Sequence, residues 1–350
     1  MPPVLPPALP PALLPPEHPP VRPRQVGVLL TNLGTPDGPD VKSVKRYLLE
    51  FLSDKRVVEI PAILWQPILR GIILNTRPAK SAEAYAQVWS DDGSPLAAIT
   101  KAQNSALQGA FGPNVMVDWA MRYGKPSIAE RVQALKDAGC DRILIAPLYP
   151  QYCGATTATA NDKVFETLAK MRWQPAIRTL PPYYDDPAYI DALAESIEAA
   201  VAKLDFAPQA IVASFHGMPQ RTLELGDPYH CHCQKTGRLL GERLGRTLGL
   251  PLIVSFQSRF GRAKWLDPAT DTTLEELPDK GITKIAIFAP GFSADCLETL
   301  EELAIRGRES FEEKGGTHFA YIPCLNASDV GIAMLRALLA RELEGWVAPA

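Results

Sequence analysis

Two stretches of this 350-residue chain are versions of one another. AGCDRILIAPLYP (138–150) and KGITKIAIFAPGF (280–292) both run from a helix end through a glycine into an apolar strand and on to Ala-Pro. MRYG (121–124) pairs in the same way with SRFG (258–261), and NLGTP (32–36) with FHGMP (215–219). Three matches in one order indicate an internal duplication. The chain is thereby constrained to two similar halves, each built on the same strands.

The segments around the repeats give the fold class. VGVLLTNLG (26–34), VMVDWAMRYG (115–124) and RILIAPLYP (142–150) read as strands of a first sheet. AIVASFHG (210–217), LIVSFQSRFG (252–261) and KIAIFAPGF (284–292) read as strands of a second. Continuous apolar runs suit parallel strands covered on both faces. Helical patterns such as SIAERVQALKDAG (127–139) and ETLEELAIRGRESFEEKG (298–315) separate them, which is α/β wiring. The expected fold is α/β, with two doubly wound domains facing each other. The first is expected over 25–175 and the second over 176–327, with a C-terminal helix near 328–345 packing back on the first. Ligands in such sheets bind beyond the carboxyl ends of the strands. His216, Arg122, Arg259 and the loop after Ala289-Pro290 stand at such ends, so the duplication directs them toward one cleft.

A net charge of −3 argues against a general nucleic-acid binder, and no nucleic-acid partner is expected. The six cysteines form no regular framework; they read as reduced and the compartment as cytoplasmic. No apolar run reaches the length of a membrane span. The N-terminus, MPPVLPPALPPALLPPEHPPVRPRQ, lacks a charged segment followed by an uninterrupted apolar core, so it does not read as a signal peptide. Proline at that density predicts an extended, poorly ordered stretch over 1–24.

His216 closes an apolar strand and precedes Gly217 and Pro219. An isolated histidine is more often a satisfied structural residue. The strand end, the small glycine and the stiff proline exit favour presentation of the imidazole to the cleft. GFSADCLETLEEL (291–303) puts Asp295, Glu298 and Glu302 at or near a helix start, where acids are common for electrostatic reasons alone. Glu298 and Glu302 share a face at i, i+4. One imidazole facing such carboxylates can accept protons and bind a divalent metal such as Fe2+. TRPAKSAEAY (76–85) supplies Arg77 and Lys80, and DDGSP (91–95) adds Ser94. Such groups are usually solvated, but near a cleft they anchor carboxylates.

IPAILWQPILRGIIL (60–74) carries one charge, Arg70, and too many Leu, Ile and Trp residues for a single buried stripe. It predicts a partly exposed apolar lip for a large apolar ligand or a membrane surface. HCHC (230–233), read as extended, puts Cys231 and Cys233 on one side. It lacks a second ligand pair, and a loop with reduced thiols is the simpler reading.

Together LLTNLGTP (29–36), MRYGKP (121–126), APLYPQY (146–152), SFHGMPQRTLELGDPY (214–229), SRFGRAKWLDPATDTTLEEL (258–277) and FSADCLETLEEL (292–303) resemble ferrochelatase of the bacterial type. The likeness covers about 25–345. It implies two Rossmann-like, chelatase-type domains with a porphyrin cleft between them. It also implies insertion of Fe2+ into protoporphyrin IX to give protohaem with release of two protons, the last step of haem synthesis. By the resemblance, His216 is the active-site histidine and Glu298 its paired carboxylate, both contacting the metal, with Asp295 and Glu302 as a relay beside them. Leu33, Arg77, Lys80, Tyr85, Ser94, Arg122, Tyr123 and Trp265 match porphyrin-binding positions, with Arg122 and Tyr123 on the opposite wall. Animal relatives have a histidine where Cys296 stands, and hold a 2Fe–2S cluster on a C-terminal extension. This chain ends LEGWVAPA, so that cluster site is not expected. Some bacterial relatives carry clusters on internal cysteines, which makes Cys231, Cys233 and Cys153 candidate ligands. The implied partners are protoporphyrin IX and ferrous iron. A homodimer and peripheral attachment to the inner face of a membrane are further candidates.

Two alternatives stand beside this reading. One is a related tetrapyrrole chelatase acting on coproporphyrin or inserting cobalt; the apolar lip favours a less carboxylated ring. The other is a haem- or metal-binding protein without turnover, which needs no base–carboxylate pair.

Overall fold

The structure, a computed structural model, describes residues 17–18, 23–261 and 263–347. The proline-rich stretch expected over 1–24 lies outside the described residues apart from 17–18 and 23–24.

Two four-stranded parallel sheets carry the chain. The first holds β1 (Gln25–Gly34), β2 (Val115–Tyr123), β3 (Cys140–Pro147) and β4 (Ala176–Thr179). The second holds β5 (Ala210–His216), β6 (Leu252–Gln257), β7 (Lys284–Phe288) and β8 (His318–Tyr321). Their strand orders, β2-β1-β3-β4 and β6-β5-β7-β8, are one order used twice. The sequence repeats therefore occupy equivalent places in the two sheets. The first sheet runs on through β4, beyond residue 175. β4 and β8, AIRT and HFAY, are edge strands with one neighbour each and no continuous apolar run, so the sequence pattern passes over them.

Helices cover the sheets: α1 (Val41–Leu52), α2 (Ala62–Ile68), α3 (Leu74–Val88), α4 (Pro95–Leu107), α5 (Ile128–Asp137), α6 (Thr159–Leu168), α7 (Pro187–Val201), α8 (Gln220–Glu224), α9 (Tyr229–Thr247), α10 (Thr270–Glu276), α11 (Arg308–Glu313) and α12 (Asp329–Leu343). α5 starts where the sequence says it should, because Ser127 and Glu130 form a reciprocal capping box. Leu30 and Ala146 of the first sheet share one apolar core with Phe215 and Phe256 of the second and with Leu335, Leu338 and Leu339 of α12. Each such fully buried large side chain contributes about 1.5–3 kcal/mol. α12 packs most extensively on α7, and also on α4 and β3. The halves are thus held by a common interior.

The repeated glycines have a steric cause. A Cβ on Gly34, whose φ is 121°, would fall 1.9 Å from the Tyr123 carbonyl oxygen, and one on Gly217 would fall 2.5 Å from that of Gln257. In each half the chain leaving the first strand presses on the end of the second, and only glycine permits it. The two halves make the contact at different points: Gly34 meets Tyr123 within MRYG, and Gly217 meets Gln257, the residue before SRFG.

Two local readings change. HCHC is not extended; it opens α9, whose buried residues Tyr229, Cys233, Thr236, Leu240 and Leu244 recur at helical spacing. The helix expected at 298 is a π-helix over Glu298–Gly307 that continues into α11. Such wide helices occur often at functional sites.

Candidate active site

His216 is the last residue of β5 and is half-buried. Its Nδ1 lies 2.7 Å from the Gly217 carbonyl oxygen. A carbonyl only accepts, so Nδ1 carries the hydrogen, and in the neutral ring Nε2 has the lone pair. The tautomer follows from that partner. The His216 carbonyl in turn accepts from the Tyr229 hydroxyl at 2.9 Å, so α9 steadies the strand end. The Phe292 ring stands 6.5 Å away, and Trp265 borders Gly217.

Glu298 opens the π-helix on the neighbouring loop. Its carboxylate makes no ion pair among the described residues. Burial pushes the phenols of Tyr47 and Tyr85 and the thiol of Cys296 well up, and the nearby Glu298 charge adds to each shift. Burial alone lowers Arg77, and Glu298 partly restores it. The Glu298 charge is therefore felt by Tyr47, Tyr85, Cys296 and Arg77.

Gln257, which the sequence reading did not single out, ties the two candidate groups together. It is 2% exposed. Its carbonyl accepts from the Gly217 N–H at 2.8 Å, and its Nε2 donates to the Glu298 carbonyl at 2.8 Å. Ser214 on β5 fixes its amide by donating to Oε1 at 2.9 Å. The signal was present: Gln257 ends an apolar strand, as His216 does.

The other acids are placed differently. Asp295 is 5% exposed and surrounded by donors. Thr299 Oγ1 donates to its Oδ1 at 3.0 Å, Tyr321 OH at 2.5 Å, and Asn326 Nδ2 donates to Oδ2 at 2.7 Å. Glu302 accepts from the Ser258 N–H at 2.7 Å and from Ser258 Oγ at 2.5 Å. That bond holds Ser258 at a φ of 64°, a costly conformation for serine. Both carboxylates are engaged by protein donors rather than lined up with Glu298 as an open path. Among the described residues no group of three or more His, Cys, Asp or Glu is placed to hold a metal ion.

Arg122 and Tyr123 form the end of β2, and their polar heads meet Asp54. Arg122 pairs with Asp54 at 2.5 Å, Tyr123 OH donates to the same oxygen at 2.9 Å, and Thr159 Oγ1 at 2.5 Å. Burial works to raise Asp54, but the bonds from Thr159, the Arg56 amide and Tyr123 and the Arg122 charge outweigh it and hold the carboxyl below its ordinary value. Arg259, directed to the cleft by the sequence reading, instead pairs with Asp271 at 2.6 Å on the surface.

Arg77 lies 4.5 Å over the Phe260 ring, so α3 of the first half meets the loop after β6 of the second. Lys80 is exposed one turn further along α3. Tyr85 and Ser94 are buried, and Ser94 accepts from Thr35 Oγ1 at 2.8 Å. Leu33 packs between the clusters around Tyr47 and around Met121. Of the lip, Ile63 is 84% exposed, with Leu64 and Ile72 also outward. Trp65 is turned in: its indole N–H donates to the Leu52 carbonyl at 2.6 Å.

The cysteines do not fit a 2Fe–2S cluster. Two residues apart on a helix, side chains diverge by roughly 200°. Cys231 is accordingly exposed while Cys233 is wholly buried in the main core with Cys153. The segment has another task. His232 Nδ1 accepts from the Tyr152 N–H at 3.2 Å, its ring stacks on Tyr184 at 3.6 Å, and Asp227 accepts from the Gly154 N–H at 2.7 Å. It latches the loop after β3 onto α9. Burial pushes the Cys153 thiol up to about 12 and Cys233 well above its ordinary value. A thiol reagent applied to the native protein is therefore expected to label Cys231 alone, and Cys231→Ser to remove the label. Labelling at a second position before unfolding would contradict this packing.

Comparison with known proteins bears on the whole chain. A sequence profile described as Ferrochelatase matches residues 25–343. A ferrochelatase of Rhizobium meliloti (strain 1021) is 58% identical over 327 residues, 92% of this chain and 96% of that protein. One of Agrobacterium fabrum (strain C58 / ATCC 33970) is 55% identical, over 92% of this chain and 95% of that protein. Among solved structures, SirB from Bacillus subtilis with Fe3+ superposes with a TM-score of 0.53 at 12% identity. The match covers 92% of this chain and 99% of that one, and it shows a shared fold.

Proposed function

Because the chain belongs to the ferrochelatase family, we propose that it inserts Fe2+ into protoporphyrin IX through His216 and Glu298. It is an enzyme of the lyase class, with ferrous iron and a porphyrin as substrates.

A free-base porphyrin carries two hydrogens on its inner nitrogens, and both must leave as protons when Fe2+ enters. A flat ring hides the lone pairs that receive the metal. Bending it exposes them, at the expense of binding energy from the rest of the macrocycle. Tyr47, Tyr85, Leu33, Phe292 and Trp265 supply apolar and aromatic surface for that grip. Arg77, Lys80 and Ser94 hold the acidic edge in this proposal. His216 Nε2 accepts a proton, and Glu298 takes the second or passes it outward. Arg122 and Tyr123 shape the facing wall while Asp54 holds their heads. Asp295 and Glu302 act by keeping the Glu298 loop and the Ser258 turn in place. Iron contacts at His216 and Glu298 stay weak, because two ligands do not make a closed site and the metal must move on.

The observation that supports this reading is that Gln257 joins the backbone of the His216 strand end, at Gly217, to the backbone of Glu298, whose carboxylate makes no ion pair among the described residues. Anaerobic assay of the purified protein with protoporphyrin IX and Fe2+ tests it. Coproporphyrin and Co2+ in parallel arms separate the related chelatases. Binding of haem without turnover in any arm would favour a carrier instead.

No helix among the described residues is long and apolar enough to cross a membrane. The exposed Ile63, Leu64 and Ile72 fit reversible attachment to a bilayer surface from which an apolar porphyrin is drawn. Changing all three to Ser is expected to lower co-sedimentation with phosphatidylglycerol-containing vesicles severalfold and to leave detergent-assayed insertion within about twofold. Equal sedimentation of the two forms would remove the attachment. Trp65 is unsuitable for this test, since its indole bond holds α2 to α1.

A further inference from the structure

We infer that Gln103 is a positioning residue that sets Glu298 against the first sheet; the inference rests on the assignment of Glu298 to the insertion site. Gln103 lies on α4 and is 1% exposed. α4 belongs to the first half: Asn32 of β1 donates to Thr100 at 3.2 Å, and Ser94, just before the helix, is bonded to Thr35. The two acceptors of Gln103 belong to the second half. Its Nε2 donates to the Ser293 carbonyl at 3.0 Å and to the Asn326 carbonyl at 3.0 Å. Both N–H bonds of one amide thus cross between the halves.

From there the connection reaches Glu298 without a break. Asn326 Oδ1 accepts from the Asp295 N–H at 2.8 Å, and Asn326 Nδ2 donates to Asp295 Oδ2 at 2.7 Å. Asp295 Oδ1 accepts from Thr299 Oγ1 at 3.0 Å. Thr299 is the residue after Glu298. Ser293 and Asn326 are themselves joined, the Asn326 N–H donating to the Ser293 carbonyl at 3.1 Å. The loop that delivers Glu298 is therefore closed on itself and bolted to α4 at one side chain. On the far side of the same helix start stands Ser94, a candidate for the porphyrin edge. This bridge joins the helix that follows Ser94 to the loop that carries Glu298.

Gln103 Oε1 is buried and makes no hydrogen bond among the described residues. An unpaired buried acceptor is a cost that an apolar side chain of the same length avoids. A purely space-filling role at this position is met better by methionine, so the two donors are what the glutamine contributes.

Gln103→Met removes both donors and keeps the length. It is expected to lower kcat for Fe2+ insertion, counted per folded porphyrin-binding site so that a smaller folded fraction does not mimic the loss, at least about tenfold with the porphyrin KM within about twofold. A double-mutant cycle shows whether it acts through Glu298. In a Glu298→Gln background the further loss from Gln103→Met should be less than about twofold. If Gln103→Met folds poorly, Asn326→Gly serves in its place. Glycine keeps the positive φ of 51° and the carbonyl that Gln103 reaches, and removes both side-chain bonds to Asp295. Additive losses in the cycle, or a lowered Tm with unchanged kcat, would overturn the inference. Absence of insertion by the wild-type protein would remove the assignment of Glu298 and this inference with it. Wild-type insertion with additive losses removes the inference alone.

Discussion

His216→Ala is expected to lower iron insertion by roughly 10²–10⁴-fold, the range a positioned general base contributes. The protein should remain folded, because the ring makes one local side-chain bond, to the carbonyl of the next residue. Strand β5 keeps its pairing to β6 and β7, and its end keeps the Tyr229 bond to the backbone. Porphyrin binding should change little, since the apolar and cationic groups proposed to grip the ring lie on other elements. Anaerobic initial rates, far-UV circular dichroism and quenching of porphyrin fluorescence separate the three quantities. Near-normal turnover by a well-folded variant would end the assignment of His216 as proton acceptor.

Glu298→Gln is expected to cost about 10²-fold in kcat, because the amide neither accepts a proton nor carries charge. Glu301→Gln is the control. Glu301 stands on the same π-helix but is paired with Arg306 at 2.8 Å, so its charge is already committed. Its change should leave kcat within about threefold, the loss of one partly exposed ion pair. Equal damage from the two substitutions would mean that helix integrity, rather than the Glu298 carboxylate, supports the reaction.

The sequence located the candidate reacting groups better than it located their supports. His216 was legible because three local signals agree: an apolar strand, a glycine that must be small, and a proline exit. Glu298 was legible as one of three acids at a helix start, but nothing local separates it from Asp295 and Glu302. The difference lies in donors far away in the chain. Asp295 is met by Tyr321 and Asn326, and Glu302 by Ser258. HCHC went astray through a period judged over four residues. Over Tyr229, Cys233, Thr236, Leu240 and Leu244 the buried positions are helical, and that longer window carried the signal.

By itself the sequence determined that this chain is a duplicated α/β protein with a strand-end histidine. Repeats, apolar runs and obligatory glycines are local or self-referencing, and one sheet order follows from using the same unit twice. Only the tertiary structure decided which polar groups are bonded to one another across the chain. Arg122 reaches back to Asp54, Gln257 joins Gly217 to Glu298, and Gln103 crosses to Ser293 and Asn326. A charged or amide head takes the nearest donor or acceptor that folding supplies, and nearness in space between distant segments is not written in local spacing. Glu298 makes no ion pair among the described residues, while Asp295 and Glu302 are met by donors from elsewhere in the chain.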